Sequence, residues 1–187
     1  MISRFSFPVL CAAFVGLATP CFAHGEYAKN VGLGVAAGLA YSPSDVNTAG
    51  AAATATKQAV GAGLAWGFFV DIPLLETFYV TPSAMLYEQK IGIDGKKMQA
   101  TDIDINFKFI VPIGDLRLGA GALGGITAGA DTKYSGHYGA LGFASFTLVS
   151  NLEAFAMVQY KQLMRDSVAG GNITNIYGFA GVMFHFQ

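Results

Sequence analysis

Residues 102–109 read Asp102-Ile103-Asp104-Ile105-Asn106-Phe107-Lys108-Phe109, and Val111 continues the odd-numbered series. Every odd position is large and apolar; every even one is charged or an amide. Successive side chains of a strand point to opposite faces, so this period of two marks a β-strand and excludes a helix, whose period is 3.6. The two faces meet different surroundings. One carries Ile and Phe, the other three charges within seven residues.

The same alternation recurs on both sides of this stretch. Upstream, Val31, Leu33, Val35, Ala37, Leu39 and Tyr41 alternate with Gly32, Gly34, Ala36, Gly38 and Ala40. Between 60 and 72 the face Val60, Ala62, Leu64, Trp66, Phe68, Val70 and Ile72 opposes Gly61, Gly63, Ala65, Gly67, Phe69 and Asp71. Phe78, Val80, Pro82, Ala84 and Leu86 then alternate with Tyr79, Thr81, Ser83, Met85 and Tyr87. Downstream, Leu116, Leu118, Ala120 and Ala122 oppose Arg117, Gly119 and Gly121. Residues 138–149 alternate least cleanly, and their faces stay unassigned. Leu152, Ala154, Ala156, Val158 and Tyr160 oppose Glu153, Phe155, Met157, Gln159 and Lys161. The last segment sets Ile176, Gly178, Ala180, Val182, Phe184 and Phe186 against Tyr177, Phe179, Gly181, Met183 and His185. Eight strand segments result. The links alternate too. Long ones (42–58, 89–99, 128–137 and 164–175) take turns with short ones at 72–76, Pro112-Ile113-Gly114-Asp115 and Ser150-Asn151.

The N-terminus reads as an export leader. Arg4 is followed by the apolar run PVLCAAFVGLATP (8–20), and Cys21-Phe22-Ala23 ends it with small residues at the −3 and −1 positions, the pattern of a secretory signal peptide. Its apolar run is too short for a membrane helix, which needs roughly 20 residues. The expected division is a cleaved leader at 1–23 and a barrel domain at 24–187; Pro20 disfavours the rival cut of a lipoprotein before Cys21. Both cysteines, Cys11 and Cys21, lie in the leader, so the remaining chain offers no disulfide and no thiolate chemistry. Losing Arg4 turns the formal net charge from −1 to −2, and no charge run suggests a nucleic-acid partner.

Composition then selects among all-β architectures. The chain is 53% apolar with a mean hydropathy of +0.46, yet past the leader no apolar stretch approaches the 18 or so residues of a spanning helix. A bilayer leaves no backbone group unpaired, so strands cross it only as a closed barrel. Asp102, Asp104, Lys108, Arg117, Glu153, Gln159 and Lys161 all lie on the face opposite the apolar one. A soluble eight-stranded barrel would have to turn the bulky apolar faces into a lumen barely wide enough for side chains. Turned to lipid, they meet no volume limit, and Tyr41, Tyr160, Phe78, Phe184 and Phe186 suit interfacial girdles. The expected fold is all-β: an eight-stranded antiparallel up-and-down transmembrane β-barrel. Long links belong outside and short turns in the periplasm, which places both chain ends in the periplasm.

The strand Leu152 to Lys161, closing Val-Gln-Tyr-Lys, and the terminal Tyr177-Gly-Phe-Ala-Gly-Val-Met-Phe-His-Phe-Gln187 resemble the OmpA/OmpX-like family of eight-stranded outer-membrane barrels of Gram-negative bacteria. That family's last strand ends in an aromatic residue read by the assembly machinery, with apolar residues at every second position before it. Phe186, Phe184 and Val182 keep that spacing, and Gln187 departs from it. The resemblance implies outer-membrane localisation and roles in envelope integrity, adhesion or surface interaction. The implied partners are outer-membrane lipid, lipopolysaccharide and the assembly machinery, the last through the C-terminal strand, with the barrel a monomer.

The seven polar residues are the candidate site, a polar network in the lumen. Arg117 and Glu153 fall near the short-turn end, and Lys161 with Asp102 and Asp104 nearer the long-link end, so charge pairs are expected at two levels, because unpaired buried charge is costly. Inward Gly and Ala of the first, second and fifth segments leave room for Tyr79, Met85, Tyr87, Phe155 and Phe179, which predicts a plugged lumen. No enzyme is expected. His24 follows the leader cut, His185 reads as a hydrogen-bonded structural residue, and His137 beside Ser135 reads as a polar outer loop rather than the catalytic pair of a lipid A deacylase. Neither metal-ligand nor nucleotide spacing occurs, so no cofactor is expected. The alternatives to a structural or surface-interaction barrel are a small gated, porin-like channel and, further off, a lipid A-modifying enzyme.

Overall fold

The computed structural model describes residues 30–41, 46–47, 57–58, 62–91, 96–129, 132–164 and 173–186. The expected leader, His24 and Gln187 lie outside them. Ten strands follow in order: β1 (Gly32–Tyr41), β2 (Val46–Asn47), β3 (Lys57–Gln58), β4 (Gly63–Pro73), β5 (Phe78–Ile91), β6 (Lys96–Ile113), β7 (Leu116–Gly129), β8 (Thr132–Val149), β9 (Leu152–Met164) and β10 (Ile173–His185). β2 and β3 form a two-residue ladder of their own. The other eight close a barrel in which each strand pairs antiparallel with its neighbours and β1 seals against both β4 and β10. The eight segments of alternating sequence are the eight barrel strands.

The apolar faces point outward. In β6, Ile103, Ile105, Phe107 and Phe109 are 39–56% exposed, while Asp102, Asp104, Asn106 and Lys108 are at most 1% exposed. Trp66, Phe68, Leu118, Val158 and Phe184 extend the outer apolar surface round the wall. An apolar surface this continuous is unstable in water and at home in lipid. The arrangement also excludes a soluble barrel filled by its apolar faces. The fold is an eight-stranded transmembrane β-barrel.

Two stretches read as links are largely strand. β5 runs on to Ile91 and β6 begins at Lys96; β7 reaches Gly129 and β8 resumes at Thr132. The apolar alternation stops before these residues, and the ladder continues on backbone pairing with a side-chain bond from Gln99 Nε2 to Glu88 Oε1 at 2.9 Å. At the other end the turns are short, as expected. Gly114 and Asp115 form a two-residue hairpin between the paired Ile113 and Leu116, with Gly114 at φ 62°, a left-handed conformation that glycine adopts without steric cost.

The structure also settles β8. Leu141 and Phe143 face inward, and Ala140, Gly142 and Ala144 face outward. At mid-strand the bulky residues fill the lumen and the small ones face out, which is why no apolar face stood out in the sequence.

The β4–β5 seam has a gap. Its ladder passes through Phe69↔Ser83 and resumes at Ile72↔Val80, omitting the Val70–Pro82 and Asp71–Thr81 pairs. Proline has no N–H to donate to the ladder. On the lumen side Thr81 Oγ1 donates to Asp71 Oδ1 across the gap and ties the strands together. Restoring the donor with Pro82→Ala should stabilise the barrel by about 1 kcal/mol, the net value of one hydrogen bond. A raised urea midpoint of the refolded protein in detergent would show it; an unchanged or lowered one would mean that the proline is better accommodated than its missing donor suggests.

Candidate functional site: the charged lumen

The lumen is packed with side chains. Phe143 stacks on Phe155 at 5.9 Å, and Phe155 meets Phe69 edge-on at 5.6 Å. Phe69 meets Phe179 at 6.0 Å, Phe179 stacks on Tyr177 at 6.0 Å, and Tyr177 meets Tyr87 at 5.3 Å. Met85, Met157 and Met183, each at most 3% exposed, fill the spaces between rings, a role suited to an unbranched, adaptable side chain. Around this ring chain the polar residues form an inner cage toward the short-turn end, an outer cage toward the long-link end, and a bridge between them.

In the inner cage, Arg117 Nη1 donates to both oxygens of Glu153 at 2.9 Å. His185 places Nε2 2.9 Å from Glu153 Oε2 and Nδ1 3.0 Å from the Asn30 carbonyl oxygen, which ties the segment before β1 to the barrel. The Arg117 guanidinium lies 4.9 Å from the Tyr79 ring centre. Lys108 Nζ donates to Asp71 Oδ1 at 2.5 Å and sits 4.4 Å above the Phe143 ring. In the bridge, Asn106 Nδ2 donates to the Thr81 carbonyl at 2.7 Å and to Ser83 Oγ at 2.9 Å, and Gln159 Nε2 donates to Asn106 Oδ1 at 3.1 Å.

The outer cage is the denser. Lys161 Nζ donates to Asp102 Oδ2 at 2.8 Å and Asp104 Oδ2 at 2.6 Å, and lies 4.7 Å from the Tyr177 ring centre. Thr127 Oγ1 donates to Asp102 Oδ1 at 2.7 Å; Tyr177 and Tyr87 donate to the same carboxylate at 3.1 and 3.3 Å. His137 contacts Asp104 Oδ1 through Nε2 and Thr127 Oγ1 through Nδ1 at 2.9 Å. Such contacts are worth most where charge is sealed from water, and removing one partner there is strongly destabilising.

All seven residues singled out from the sequence lie in the lumen, each at most 5% exposed. Arg117 meets Glu153, and Lys161 meets both Asp102 and Asp104. Lys108 joins a different acid, Asp71, and Gln159 joins Asn106. Asp71 was legible as the one acid on the inner face of its segment. His137 was not. It is 3% exposed inside β8, not in an outer loop, because the ladder continues through it to Thr132. Buried in the lumen, it is not displayed on the lipid-facing surface; the side chain of Ser135 lies outside the description. Donor atoms of Asp102, Asp104 and His137 come within 4.8 Å of one another, a possible metal-ligand set. The Lys161 ammonium bonds both carboxylates and supplies the compensating cation itself.

A closed antiparallel barrel, apolar without and charged within, defines the small outer-membrane β-barrel class of fold. Among solved structures the chain is similar to Neisserial surface protein A (TM-score 0.65, 13% identity, covering 83% of this chain and 97% of that one). It is also similar to the outer membrane protein OprG from Pseudomonas aeruginosa (0.54, 15%, 85% and 97%), and to outer membrane protein AlkL in DMPC lipid bilayers (0.53, 10%, 90% and 95%). At these identities the likeness is one of fold. No protein-family model matches the sequence, and no curated protein does either.

Proposed function

We propose that this chain is an exported outer-membrane barrel with a sealed lumen, serving envelope structure or surface interaction rather than bulk transport or catalysis. The packed lumen carries the reading. An unbroken chain of rings runs along it, flanked by two cages that cross-link seven of the eight wall strands. Eight strands leave an interior that side chains can fill completely. The leader at 1–23 would direct export, with both chain ends in the periplasm, the long links outside, and outer-membrane lipid and lipopolysaccharide as the immediate surroundings.

Purified barrel in planar bilayers at neutral pH should give no discrete openings. Regular unitary steps would overturn the sealed-lumen reading in favour of a small gated channel. Lipid A mass spectra should be identical with and without expression of the chain; a new acylation or deacylation product would make it an enzyme.

A further inference from the structure

On the outer face of the wall, one row of cross-strand partners runs Trp66, Leu86, Thr101, Ala128 over β4, β5, β6 and β7. In the next outward-facing row toward the long-link end, Glu88 pairs with Gln99, and Gln99 Nε2 donates to Glu88 Oε1 at 2.9 Å. β1, β8 and β9 carry half-exposed outward tyrosines toward this end, Tyr41, Tyr138 and Tyr160, the aromatic girdle of such a wall. β6 and β7 carry Thr101 and Ala128 in its place. These short side chains leave a groove of about 570 Å³, lined also by Leu64, Trp66 and Leu86.

The groove is amphipathic along its length. Leu64, Trp66 and Leu86 are 45–63% exposed, and the next row toward the short turns continues them with Phe68 and Ile103. The opposite rim is a carboxylate, a carboxamide and a hydroxyl, from Glu88, Gln99 and Thr101. An apolar floor with a few convergent polar groups is the usual make-up of a small-molecule site.

The order of these groups selects the ligand. An acyl chain matches the floor, and the atoms that follow it meet Glu88 at the first polar level beyond Leu86. A phosphate there would set one anion against another; Lys90 and Lys97 pair one row further out. A sugar joined directly to the chain instead offers hydroxyl donors to the carboxylate. Its oxygens also match the Gln99 amide and the Thr101 hydroxyl, which both donate and accept.

We propose that this groove is a glycolipid site, with an acyl chain along Trp66 and Leu86 and its sugar hydrogen-bonded to the Glu88–Gln99 pair. The site lies on the outer wall, so it is independent of whether the lumen is sealed. It supplies the surface-interaction role with a ligand of defined chemistry.

Trp66 is the only tryptophan of the chain, so its fluorescence reports on the groove. The refolded full chain in dodecylphosphocholine micelles is titrated separately with dibrominated dodecyl maltoside and dibrominated dodecylphosphocholine, two quenchers that differ only in the head. The maltoside should quench Trp66 with an apparent affinity about fivefold higher, the net value of one hydrogen bond. Glu88→Leu/Gln99→Leu removes the head contacts and should bring the two quenchers level. Thr101→Phe should also bring them level by filling the hollow, with Glu88 and Gln99 still in place. Equal quenching of the wild type overturns the proposal, and so does a preference for the phosphocholine. A maltoside preference that survives either variant overturns it as well, because the selection would then lie outside the groove.

Discussion

Lys161→Met should cost about 3–5 kcal/mol of stability, the penalty for leaving buried charge without its partner. Lys161 is fully buried and bonds both Asp102 and Asp104. Methionine keeps much of the volume and none of the charge, so two carboxylates would face each other in the packed lumen without their ammonium. The loss should be read as a lowered urea midpoint in refolding from detergent. Neutralising the acids as well should recover much of it, because replacing a whole buried ion cluster with neutral groups is often close to neutral in energy. If Lys161→Met/Asp102→Asn/Asp104→Asn is as unstable as Lys161→Met alone, the cost lies in packing and not in charge.

Gly125→Ala should cost about 3 kcal/mol or more, the upper range for overpacking. A Cβ at 125 would press on the Ile103 carbonyl oxygen, 2.6 Å from Asp104 Oδ1 and 2.9 Å from His137 Nε2. Side chains can swing aside from a methyl; the carbonyl belongs to the β6 ladder and cannot. Two costs therefore add, a strained β6–β7 seam and a parted Asp104–His137 contact. Gly142→Ala is the matched control, since nothing lies within 4 Å of its added Cβ, and it should leave the unfolding midpoint within about 0.5 kcal/mol of wild type. Equal effects at 125 and 142 would show that the close approach at 125 is unimportant.

Most of the wall was legible in the sequence because lipid imposes a one-dimensional code. Each strand must show apolar side chains at every second residue, and Ile103, Ile105, Phe107 and Phe109 do so beside three charges. Eight such segments with one polar face imply closure, since an open edge cannot exist in a bilayer. The code fails where its cause is absent. Beyond the alternating stretches the β5–β6 and β7–β8 ladders continue without apolar alternation, and in β8 Leu141 and Phe143 fill the lumen while Ala140 and Gly142 face out.

The candidate site divides along the same physical line. Alternation by itself put Asp102, Asp104, Lys108, Arg117, Glu153, Gln159 and Lys161 on the inner face, because a charge cannot face lipid cheaply. Which of them meet depends on register around a closed, sheared wall, where a shift of one residue changes every partner. Only the folded barrel sets Lys108 against Asp71, 37 residues earlier, and Lys161 against Asp102, 59 residues earlier. Only there does His137 come round to Asp104 over the bare backbone of Gly125. The sequence by itself determined which side of the wall each residue faces; the tertiary structure decided which residues share a level, because level is a property of closure and not of any single strand.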